Sequence, residues 1–471
     1  MSSLWTSDDA AKAVSGQATA AFAVQGLSID TRSIQPGDMF IALKDRRDGH
    51  DFVAQAFEAG AAAALVTHRP EGVAEDAPLL IVEDVLEALR DLARAARART
   101  KAKVIGVTGS VGKTSTKDML RHVLAGQGRV HAAEKSFNNH WGVPLTLARC
   151  PVEADFAVIE IGMNHPGEIA PLAALAQPDI AIVTIVAAAH LAAFDGLDGI
   201  AREKAAIYGA LPPGGAALIN GDLDTSPILR DAAQTAKARE ILFGESDTAQ
   251  WRLSALDLTE GQTKAEAATP LGPLHYNLTS AGRHFAVNAL AVLAAVHEAG
   301  GDAAKAAQDL GDWRPTAGRG TLEHLALPHG KISLLDDAYN ANPTSMGAAL
   351  EVLVATKTQG KGRHIAILGD MLELGPEEAE LHARVADHPS IGHIDIVHAA
   401  GPRMAALIKA LPEAKRGLHR EKAEDLASDL TQALGEAFQP GDVVLVKGSF
   451  GSQIAKIVTA LRQLTEAEPS L

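Results

Sequence analysis

The chain has 471 residues, a formal net charge of −15 at pH 7, and 47% hydrophobic against 21% charged residues. This length suggests about three domains, and this composition excludes a disordered chain. An acidic chain has no general attraction for nucleic acid, so we expect no nucleic-acid partner, although a local basic pocket for a small anion is compatible with the charge.

The only cysteine, Cys150, cannot form an internal disulfide, and its apolar run GVPLTLARC predicts a small buried residue. The first residues lack a basic segment followed by an apolar run, which predicts no secretory signal. The longest apolar stretch, residues 180–194, is interrupted by His190 and is too short to span a bilayer. We therefore expect a cytoplasmic protein without membrane insertion.

Residues 1–100 are predicted to form a mixed α/β domain. MFIAL and AALVT are short β-rich runs, and DFVAQAFEAGA between them has helical spacing up to Gly60. Residues 88–103 predict a charged helix. A domain boundary is expected near Thr100.

Residues 101–314 are predicted to form a central domain with a parallel sheet. VIGVT, FAVIEIG, IAIVTIV and AALIN are near-continuous apolar runs, which is typical of strands covered on both faces. Residues 251–280 are turn-rich and predict an attached hairpin, and residues 284–300 predict a helix.

Residues 315–471 are predicted to form a second open α/β sheet. ISLLDDAY, HIAILGD, IDIVHAAG and DVVLVKGS are the expected strands, separated by helical segments such as NPTSMGAALEVL. The predicted fold class is therefore α/β with three domains, a central P-loop-type parallel sheet and a C-terminal Rossmann-like sheet.

The segment TGSVGKTST, residues 108–116, predicts a loop that holds phosphates between a strand and a helix. Gly109 and Gly112 let backbone N–H groups approach an anion, Lys113 can reach the outer phosphates, and the Thr114 hydroxyl can bind Mg²⁺. The general pattern requires glycine where this chain has Val107, so the loop is a shortened variant. The predicted ATP-binding residues here are Gly109, Ser110, Val111, Gly112, Lys113, Thr114 and Ser115.

A bound triphosphate leaves two classes of protein open, an enzyme that uses ATP for chemistry and a nucleotide-dependent switch. A guanine-reading switch requires an N/T-K-x-D segment. The nearest match, TKTQ at Thr356, lacks the aspartate. The sequence therefore favours the enzyme.

Several segments in a shared order resemble the Mur ligase family over nearly the whole chain. They are DTRSIQPGDMFIAL, DGHDF, TGSVGKTST, SFNNHWGVPLTLA, VIEIGMNHPGEI, AAAHLAAF, GRHFAVNAL, DDAYNANPTSM, LGDMLELG and LVKGS. The segment DDAYNANPTSM, residues 336–346, discriminates best. Branches that add the third peptide residue, or glutamate to folate, have YAHTP or AHNP there.

This resemblance implies an ATP-dependent amide ligase, and we expect it to act as a monomer. ATP would phosphorylate the terminal carboxylate of UDP-N-acetylmuramoyl-tripeptide, and the amine of D-alanyl-D-alanine would displace the phosphate. A carboxylate is a poor electrophile, so phosphorylation gives it a leaving group. Mg²⁺ and Lys113 would stabilise the charge on the transferring phosphoryl group.

The resemblance also implies four catalytic residues, Lys113, Glu160, His190 and Lys204. Glu160 ends the apolar strand FAVIE, where a carboxylate can hold Mg²⁺ together with Thr114. His190 alone would more often be a core histidine, and its match to the family's AAHL implies a third Mg²⁺ ligand.

Lys204, in IAREKAAIY, aligns with the family lysine that carries a carbamate, although an exposed helical lysine is the default interpretation of the sequence alone. Two neighbours depart from the family pattern. Ala206 stands where relatives have glutamate, and Ile185 where many have asparagine.

The remaining nucleotide contacts are implied by the same resemblance. Asn288 lies in an apolar context and resembles an adenine contact, because an amide can donate to and accept from a base edge. Arg319 resembles a phosphate contact near the last domain, and Asp337 and Tyr339 resemble residues close to the ribose and the base.

The substrate contacts implied by the resemblance come from three segments. An arginine fork suits a pyrophosphate. The loop after Lys44 is shorter than in relatives, and Phe450 replaces a common arginine, so that arginine's role is not transferred. The implied substrate residues are Thr31, Arg32, Asn138, Asn139, Asn340 and Asn342.

Overall fold

The computed structural model describes residues 3–259, 261–328 and 330–466. It contains three large sheets, here called the first, middle and last sheets in chain order, and a small antiparallel pair of strands near the start. Helices cover the sheets, as predicted for an α/β protein.

The first sheet has five strands in the order β2-β7-β6-β5-β4, all parallel except β2. The strands of this region are β1 (Trp5–Thr6), β2 (Gln17–Ala18), β3 (Ala23–Val24), β4 (Gly26–Ser28), β5 (Asp38–Ile41), β6 (Ala63–Val66) and β7 (Leu79–Ile81). Its helices are α1 (Ser7–Val14), α2 (Val53–Glu58) and α3 (Val85–Arg99).

The middle sheet has nine strands in the order β16-β15-β14-β13-β12-β11-β8-β10-β9. The strands are β8 (Lys103–Thr108), β9 (Val130–Ala132), β10 (Phe156–Glu160), β11 (Ile180–Val183), β12 (Ala216–Asn220), β13 (Arg239–Gly244), β14 (Trp251–Thr259), β15 (Gln262–Thr269) and β16 (Gly272–Leu278). The helices are α4 (Lys113–Ala125), α5 (Gly142–Ala148), α6 (Ile169–Ala176), α7 (Gly196–Ala205), α8 (Ser226–Thr235), α9 (Arg283–Glu298) and α10 (Ala303–Asp309).

The last sheet has six strands in the order β17-β18-β22-β19-β20-β21, parallel except for β17. The strands are β17 (Thr321–Leu327), β18 (Gly330–Asp337), β19 (His364–Gly369), β20 (Ile396–Ala400), β21 (Arg416–Arg420) and β22 (Val443–Lys447). The helices are α11 (Pro343–Ala355), α12 (Glu378–Ala383), α13 (Ala405–Ala410), α14 (Ala423–Gln432), α15 (Leu434–Ala437) and α16 (Ala455–Glu466).

Burial explains why the predicted parallel strands form. Every residue of β10, β11 and β12 is buried, with helices packed on both faces of the middle sheet. Strand β8 lies between β10 and β11. The next strands, β9 and β10, lie on one side of β8, and β11 and β12 lie on the other, so the strand order reverses at β8. Such a switch point places ligands at the carboxyl ends of the strands.

The α/β fold class is confirmed, and local details differ from the prediction. The charged helix predicted over residues 88–103 is α3, which begins earlier because the Asp84 carboxylate accepts a hydrogen bond from Glu87 N at 2.9 Å. It ends at Arg99, and Lys103 already belongs to β8. The predicted hairpin over residues 251–280 is three antiparallel strands, β14 to β16.

Two further expectations from the sequence were the burial of Cys150 and the absence of a membrane span. Cys150 is buried and forms no disulfide. Across the three described ranges, no helix combines the length and apolar character that a membrane span requires.

Candidate active site

The loop between β8 and α4 has the geometry of a phosphate-binding loop. Gly109 has φ 151°, and a Cβ there would lie 1.9 Å from Thr184 Oγ1. Gly112 has φ 86°, and its Cβ would lie 2.6 Å from Asn288 Nδ2. Both positions therefore require glycine. The 13-residue helix that follows directs its free N–H groups at the loop, which favours an anion there.

The segment after β11 holds this loop in place. Ser110 N donates to the Ile185 carbonyl at 2.7 Å, and Ser110 Oγ is within 3.0 Å of both the N and the O of Ala187. Thr184 Oγ1 donates to the Val111 carbonyl at 2.6 Å. The loop is thus pre-ordered by protein contacts.

Lys113 begins α4 and lies beside the loop. Its ammonium donates to the Gly109 carbonyl at 2.7 Å. Burial lowers the pKa of Lys113 below its ordinary value, Glu160 opposes this shift, and Arg319 adds to it. A bound anion would take the place of that carbonyl as the partner of the ammonium.

Oxygen atoms from α4 and β10 meet next to the loop. Glu160 pairs in register with Val107, one residue before the end of β8, so its buried carboxylate lies at the edge where the loop starts. Thr114 Oγ1 is 3.1 Å from both carboxylate oxygens of Glu160. It is also 3.2 Å from Ser136 Oγ, and Asn138 Nδ2 donates to Glu160 Oε1 at 2.7 Å.

This arrangement fits Mg²⁺, which prefers oxygen ligands and keeps several waters. The Thr114 hydroxyl and the Glu160 carboxylate are close enough to bind one ion, and both line the same cavity as the phosphate loop. Among the described residues, no group of three or more His, Cys, Asp or Glu side chains forms a metal cluster. A site of this kind would depend on water and phosphate oxygens for its other ligands.

His190 lines the cavity but bonds to another region of the chain. Its Nδ1 lies 2.5 Å from Glu373 Oε2, in the loop between β19 and α12. Burial lowers the pKa of His190 and Glu373 opposes that shift, with smaller contributions from Lys113 and Lys204. The structure therefore places His190 near both lysines and fixes one of its ring nitrogens.

Among the described residues, three lysines are almost fully buried, and one of these three forms no hydrogen bond or ion pair with a carboxylate or a carbonyl. Lys117 donates to the Ala133 carbonyl at 2.7 Å and pairs with Asp118. Lys447 pairs with Asp337 at 2.6 Å. Within the described ranges, no ion pair or hydrogen bond joins the Lys204 amine to such a group.

Burial dominates the electrostatics of Lys204. Its side chain is 1% exposed, which contradicts the default interpretation of an exposed helical lysine. Burial lowers its pKa well below the ordinary value, and the charge of Lys113 lowers it further. A neutral amine is the form that these surroundings favour.

Asp337 and Lys447 meet because β18 and β22 are parallel and in register at their carboxyl ends. Lys447 Nζ also donates to the Asn340 carbonyl at 3.0 Å. Burial raises the pKa of Asp337, and Lys447 opposes this shift. Both residues line the cavity from the last sheet.

Arg319 links the last sheet to the phosphate loop region. Its guanidinium donates to Ser136 Oγ at 3.0 Å and lies 4.1 Å from the ring centroid of Tyr339. The other neighbour of Tyr339 is Phe450, with ring centroids 5.9 Å apart. Arg319 is therefore held by an aromatic ring while its tip reaches the middle sheet.

Other predicted site residues divide into those at the cavity and those away from it. Asn138, Asn139, Asn288, Asn340 and Asn342 line it, whereas Thr31 and Arg32 do not. The Arg32 guanidinium forms two hydrogen bonds with Asp30, and its side chain is 87% exposed. Thr31 Oγ1 is 3.4 Å from Gln55 Oε1.

Two of the cavity asparagines accept hydrogen bonds from backbone N–H groups where helices begin. Asn139 Oδ1 accepts from Gly142 N at 2.8 Å at the start of α5. Asn342 Oδ1 accepts from Ser345 N at 2.9 Å, and Ser345 Oγ accepts from Asn342 N at 3.0 Å, which forms a capping box at α11. Their first role is therefore to fix the loops that border the cavity.

The cavity has a volume of about 1180 Å³ and is bordered by all three sheet regions. Arg90 and Arg94 reach it from α3, the phosphate loop from the middle sheet, and Tyr339 from the last sheet. A volume of this size suits more than one small ligand at once.

Three residues at or beside the cavity were not predicted from the sequence, namely Ser136, Thr184 and Glu373. Ser136 is two residues before the predicted Asn138, and it contacts Thr114 and Arg319. Glu373 lies in the segment LGDMLELG, which resembles the family. The sequence therefore marked this segment, but it did not indicate that His190 is the partner of Glu373. The contact depends on packing between residues 183 positions apart.

Three family models match the chain in order. They are the Mur ligase family catalytic domain over residues 23–97, the Mur ligase middle domain over residues 107–296, and the Mur ligase glutamate ligase domain over residues 322–450. These matches cover each of the three sheets. Together with the relatives below, they show that the chain belongs to the Mur ligase family.

Relatives of one type match over nearly the whole length. The UDP-N-acetylmuramoyl-tripeptide–D-alanyl-D-alanine ligase of Bacillus subtilis is 35% identical over 93% of both chains. A crystal structure of MurF from Acinetobacter baumannii has a TM-score of 0.83 at 29% identity and covers 98% of this chain and 99% of that one. MurF of Thermotoga maritima, solved in complex with ADP, has a TM-score of 0.77 at 26% identity and covers 94% and 98%.

Proposed function

We propose that this chain is an ATP-dependent ligase that joins D-alanyl-D-alanine to UDP-N-acetylmuramoyl-tripeptide in the synthesis of peptidoglycan precursors. The observation that carries the proposal is the 35% identity over 93% of the chain to a relative with that name. The cavity supports it, because the phosphate loop and the discriminating segment at residues 336–346 border the same space.

The reaction proceeds through an acyl phosphate. An oxygen of the terminal carboxylate attacks the γ-phosphorus of ATP, and ADP leaves. The amine nitrogen of D-alanyl-D-alanine then attacks the acyl carbon, loses a proton, and displaces phosphate that retains the carboxylate oxygen. The products are the amide, ADP and phosphate.

The chain's residues would act mainly by binding and orienting the phosphates. The N–H groups of the loop and Lys113 hold the outer phosphates, while Thr114, Glu160 and His190 hold Mg²⁺, which supplies positive charge for the transferring phosphoryl group. Arg319 reaches the same phosphates across the cavity.

The remaining roles are those that the family resemblance implies, and position at the cavity supports them. Asn288, which lies against Gly112, would contact the adenine, and Asp337 and Tyr339, which line the cavity, would lie near the ribose and the base. Asn340 and Asn342 shape the site for the amine. The UDP-sugar peptide is bound by Thr31, Arg32, Asn138 and Asn139, of which the first two lie outside this cavity.

Lys204 carries a carbamate in the active enzyme. The neutral amine adds to CO₂, forms an N–C bond and releases one proton, which gives a carboxylate anion. Starting from the ammonium, a further proton is released when the amine becomes neutral. Burial without a carboxylate partner supports this role, because it favours the neutral amine. The new carboxylate would help to orient the Mg²⁺ site.

The division of labour follows the three predicted domains. Residues 1–100 bind the UDP-sugar peptide, residues 101–314 bind the ATP phosphates and metal, and residues 315–471 close over ATP and bring in the dipeptide. Closure excludes water from the acyl phosphate. The enzyme acts in the cytoplasm as a monomer.

A substrate-resolved assay of phosphate release tests the function. We expect release only when Mg-ATP, UDP-N-acetylmuramoyl-tripeptide and D-alanyl-D-alanine are all present, with ¹⁸O from the peptide carboxylate found in the phosphate. Release that is indifferent to both substrates would instead support a nucleotide-dependent switch. Release with a single amino acid as the amine would support a branch that adds the third residue or extends folates.

A further inference from the structure

Two strained residues meet between the middle and last sheets. Six described residues other than glycine have positive φ, among them His190 at 58° and Glu373 at 64°. Their side chains are in contact, with 2.5 Å between His190 Nδ1 and Glu373 Oε2. A left-handed backbone is unfavourable for residues with a side chain, so it persists only where the surroundings hold it.

Backbone contacts hold the two loops together around this pair. Ala192 N donates to the Glu373 carbonyl at 3.4 Å. Gly375 has φ 79°, and a Cβ there would lie 3.3 Å from Ala192 Cα. The loop that carries Glu373 is therefore packed directly on the turn that carries His190.

The same loop is anchored on the other side to the last sheet. Leu372 N donates to Ser449 Oγ at 3.0 Å, and Ser449 Oγ donates to the Ala341 carbonyl at 3.3 Å. Ala341 lies between Asn340 and Asn342. A continuous series of contacts thus joins His190 to the segment proposed to shape the amine site.

We propose that Glu373 is a positioning residue for His190, and that it presents His190 Nε2 to the cation only when the last sheet lies against the middle one. This inference rests on the proposed nucleotide and metal site. A ligating histidine commonly donates its other ring N–H to a carboxylate, which fixes the tautomer and the ring plane. Here Nδ1 faces that carboxylate, which leaves Nε2 as the ligand atom.

The consequence is that cation binding depends on domain arrangement. Glu373 and the segment around Ala341 belong to the same sheet region, whereas Thr114 and Glu160 belong to the middle one. Separation of the two regions removes the partner of Nδ1 and frees the imidazole to rotate. Only the arrangement that assembles the amine site then has the complete cation site.

Mn²⁺ binding, measured by electron paramagnetic resonance with a non-hydrolysable ATP analogue, tests this proposal without turnover. We expect Glu373→Ala to weaken Mn²⁺ binding by about 10-fold or more. Glu373→Gln should retain most of the affinity, because its amide oxygen still accepts from Nδ1–H. Glu377→Ala is the matched control, an exposed glutamate in the same connection.

A double-mutant cycle separates positioning from a general structural effect. In a His190→Ala background, Glu373→Ala should cause no further loss of Mn²⁺ affinity, because Glu373 acts through the imidazole. Wild-type affinity in Glu373→Ala, or additive losses in the double variant, would overturn the proposal. The Glu373 side chain is 60% exposed, so its truncation should leave the fold intact, as circular dichroism can verify.

The proposed ligase activity is tested separately. Wild-type enzyme that shows the expected Mn²⁺ pattern but no substrate-dependent phosphate release would disprove the ligase and leave the role of Glu373 standing. Substrate-dependent ligation by the wild-type enzyme, together with unchanged Mn²⁺ affinity in Glu373→Ala, would support the ligase and disprove the role of Glu373.

Discussion

At the scale of single residues, Lys204 differs from the other buried lysines in what surrounds its amine. Lys117 and Lys447 are equally buried, but a carbonyl or a carboxylate stabilises each ammonium. No carbonyl or carboxylate forms a hydrogen bond or ion pair with the Lys204 amine among the described residues, and the repulsion by Lys113 exceeds the attraction by Glu203. Similar burial therefore gives different chemistry, because partners decide which protonation state is stable.

We expect Lys204→Ala to lower ligation at least about 10³-fold, on the order of 4 kcal/mol in transition-state stabilisation. Small anions that mimic a carbamate should restore part of the activity. Wild-type protein under ¹³CO₂ should show a carbamate signal by NMR, and Lys204→Ala should lack it. The control is Lys117→Met, which should retain the signal; normal turnover of Lys204→Ala would contradict the role.

At the scale of elements, the connection between β8 and α4 shows why glycine is needed at particular positions. Gly112 and Gly214 both have positive φ, at 86° and 79°. A Cβ on Gly112 would lie 2.6 Å from Asn288 Nδ2, whereas a Cβ on Gly214 meets nothing within 4 Å. The two positions share backbone strain and differ in crowding at the nucleotide site.

We expect Gly112→Ala to weaken ATP binding at least about 10-fold, because the added methyl group would displace the loop from the phosphates. A loss of about 1.4 kcal/mol in binding free energy is enough for that change. Gly214→Ala should leave ATP affinity unchanged. Both variants should lose roughly 1 kcal/mol of stability from the left-handed backbone. Isothermal titration calorimetry and urea unfolding measure the two effects, and equal ATP affinity in both variants would argue against the loop as the phosphate site.

At the scale of the whole molecule, the exposed apolar surface is small and scattered. The large exposed apolar side chains described are Val152, Leu197, Leu271, Tyr339 and Phe450. The rings of Tyr339 and Phe450 lie next to each other, and Tyr339 lines the cavity. Obligate subunit contacts need larger continuous apolar patches.

We therefore expect a monomer with a mass near 49.1 kDa by light scattering after size-exclusion chromatography. The mass should not change on dilution or with Mg-ATP, because the part of the chain that the structure describes exposes no large apolar patch. A mass near twice this value at micromolar concentration would contradict the expectation. A Phe450→Glu variant serves as a check, since it should leave the mass unchanged.

The sequence by itself determined the apolar central strands, several of the helices between them and the position of the phosphate loop. Apolar runs such as FAVIE form buried strands because each residue loses contact with water on both faces of a covered sheet. Glu160 and Asp337 could be placed at carboxyl ends of strands for the same reason. The edge strand β21 was missed, because its sequence RGLHR is polar and pairs on one side only.

Only the tertiary structure decided which of these residues meet and which are buried. The burial of Lys204 depends on α7 packing against the middle sheet, and the contact of His190 with Glu373 depends on two loops from different sheets. Periodicity reports on a residue's own helix or strand, whereas such contacts arise from packing between distant segments. The local pattern along the chain therefore gave the elements and the loop, and the packing of those elements gave the chemistry of each side chain.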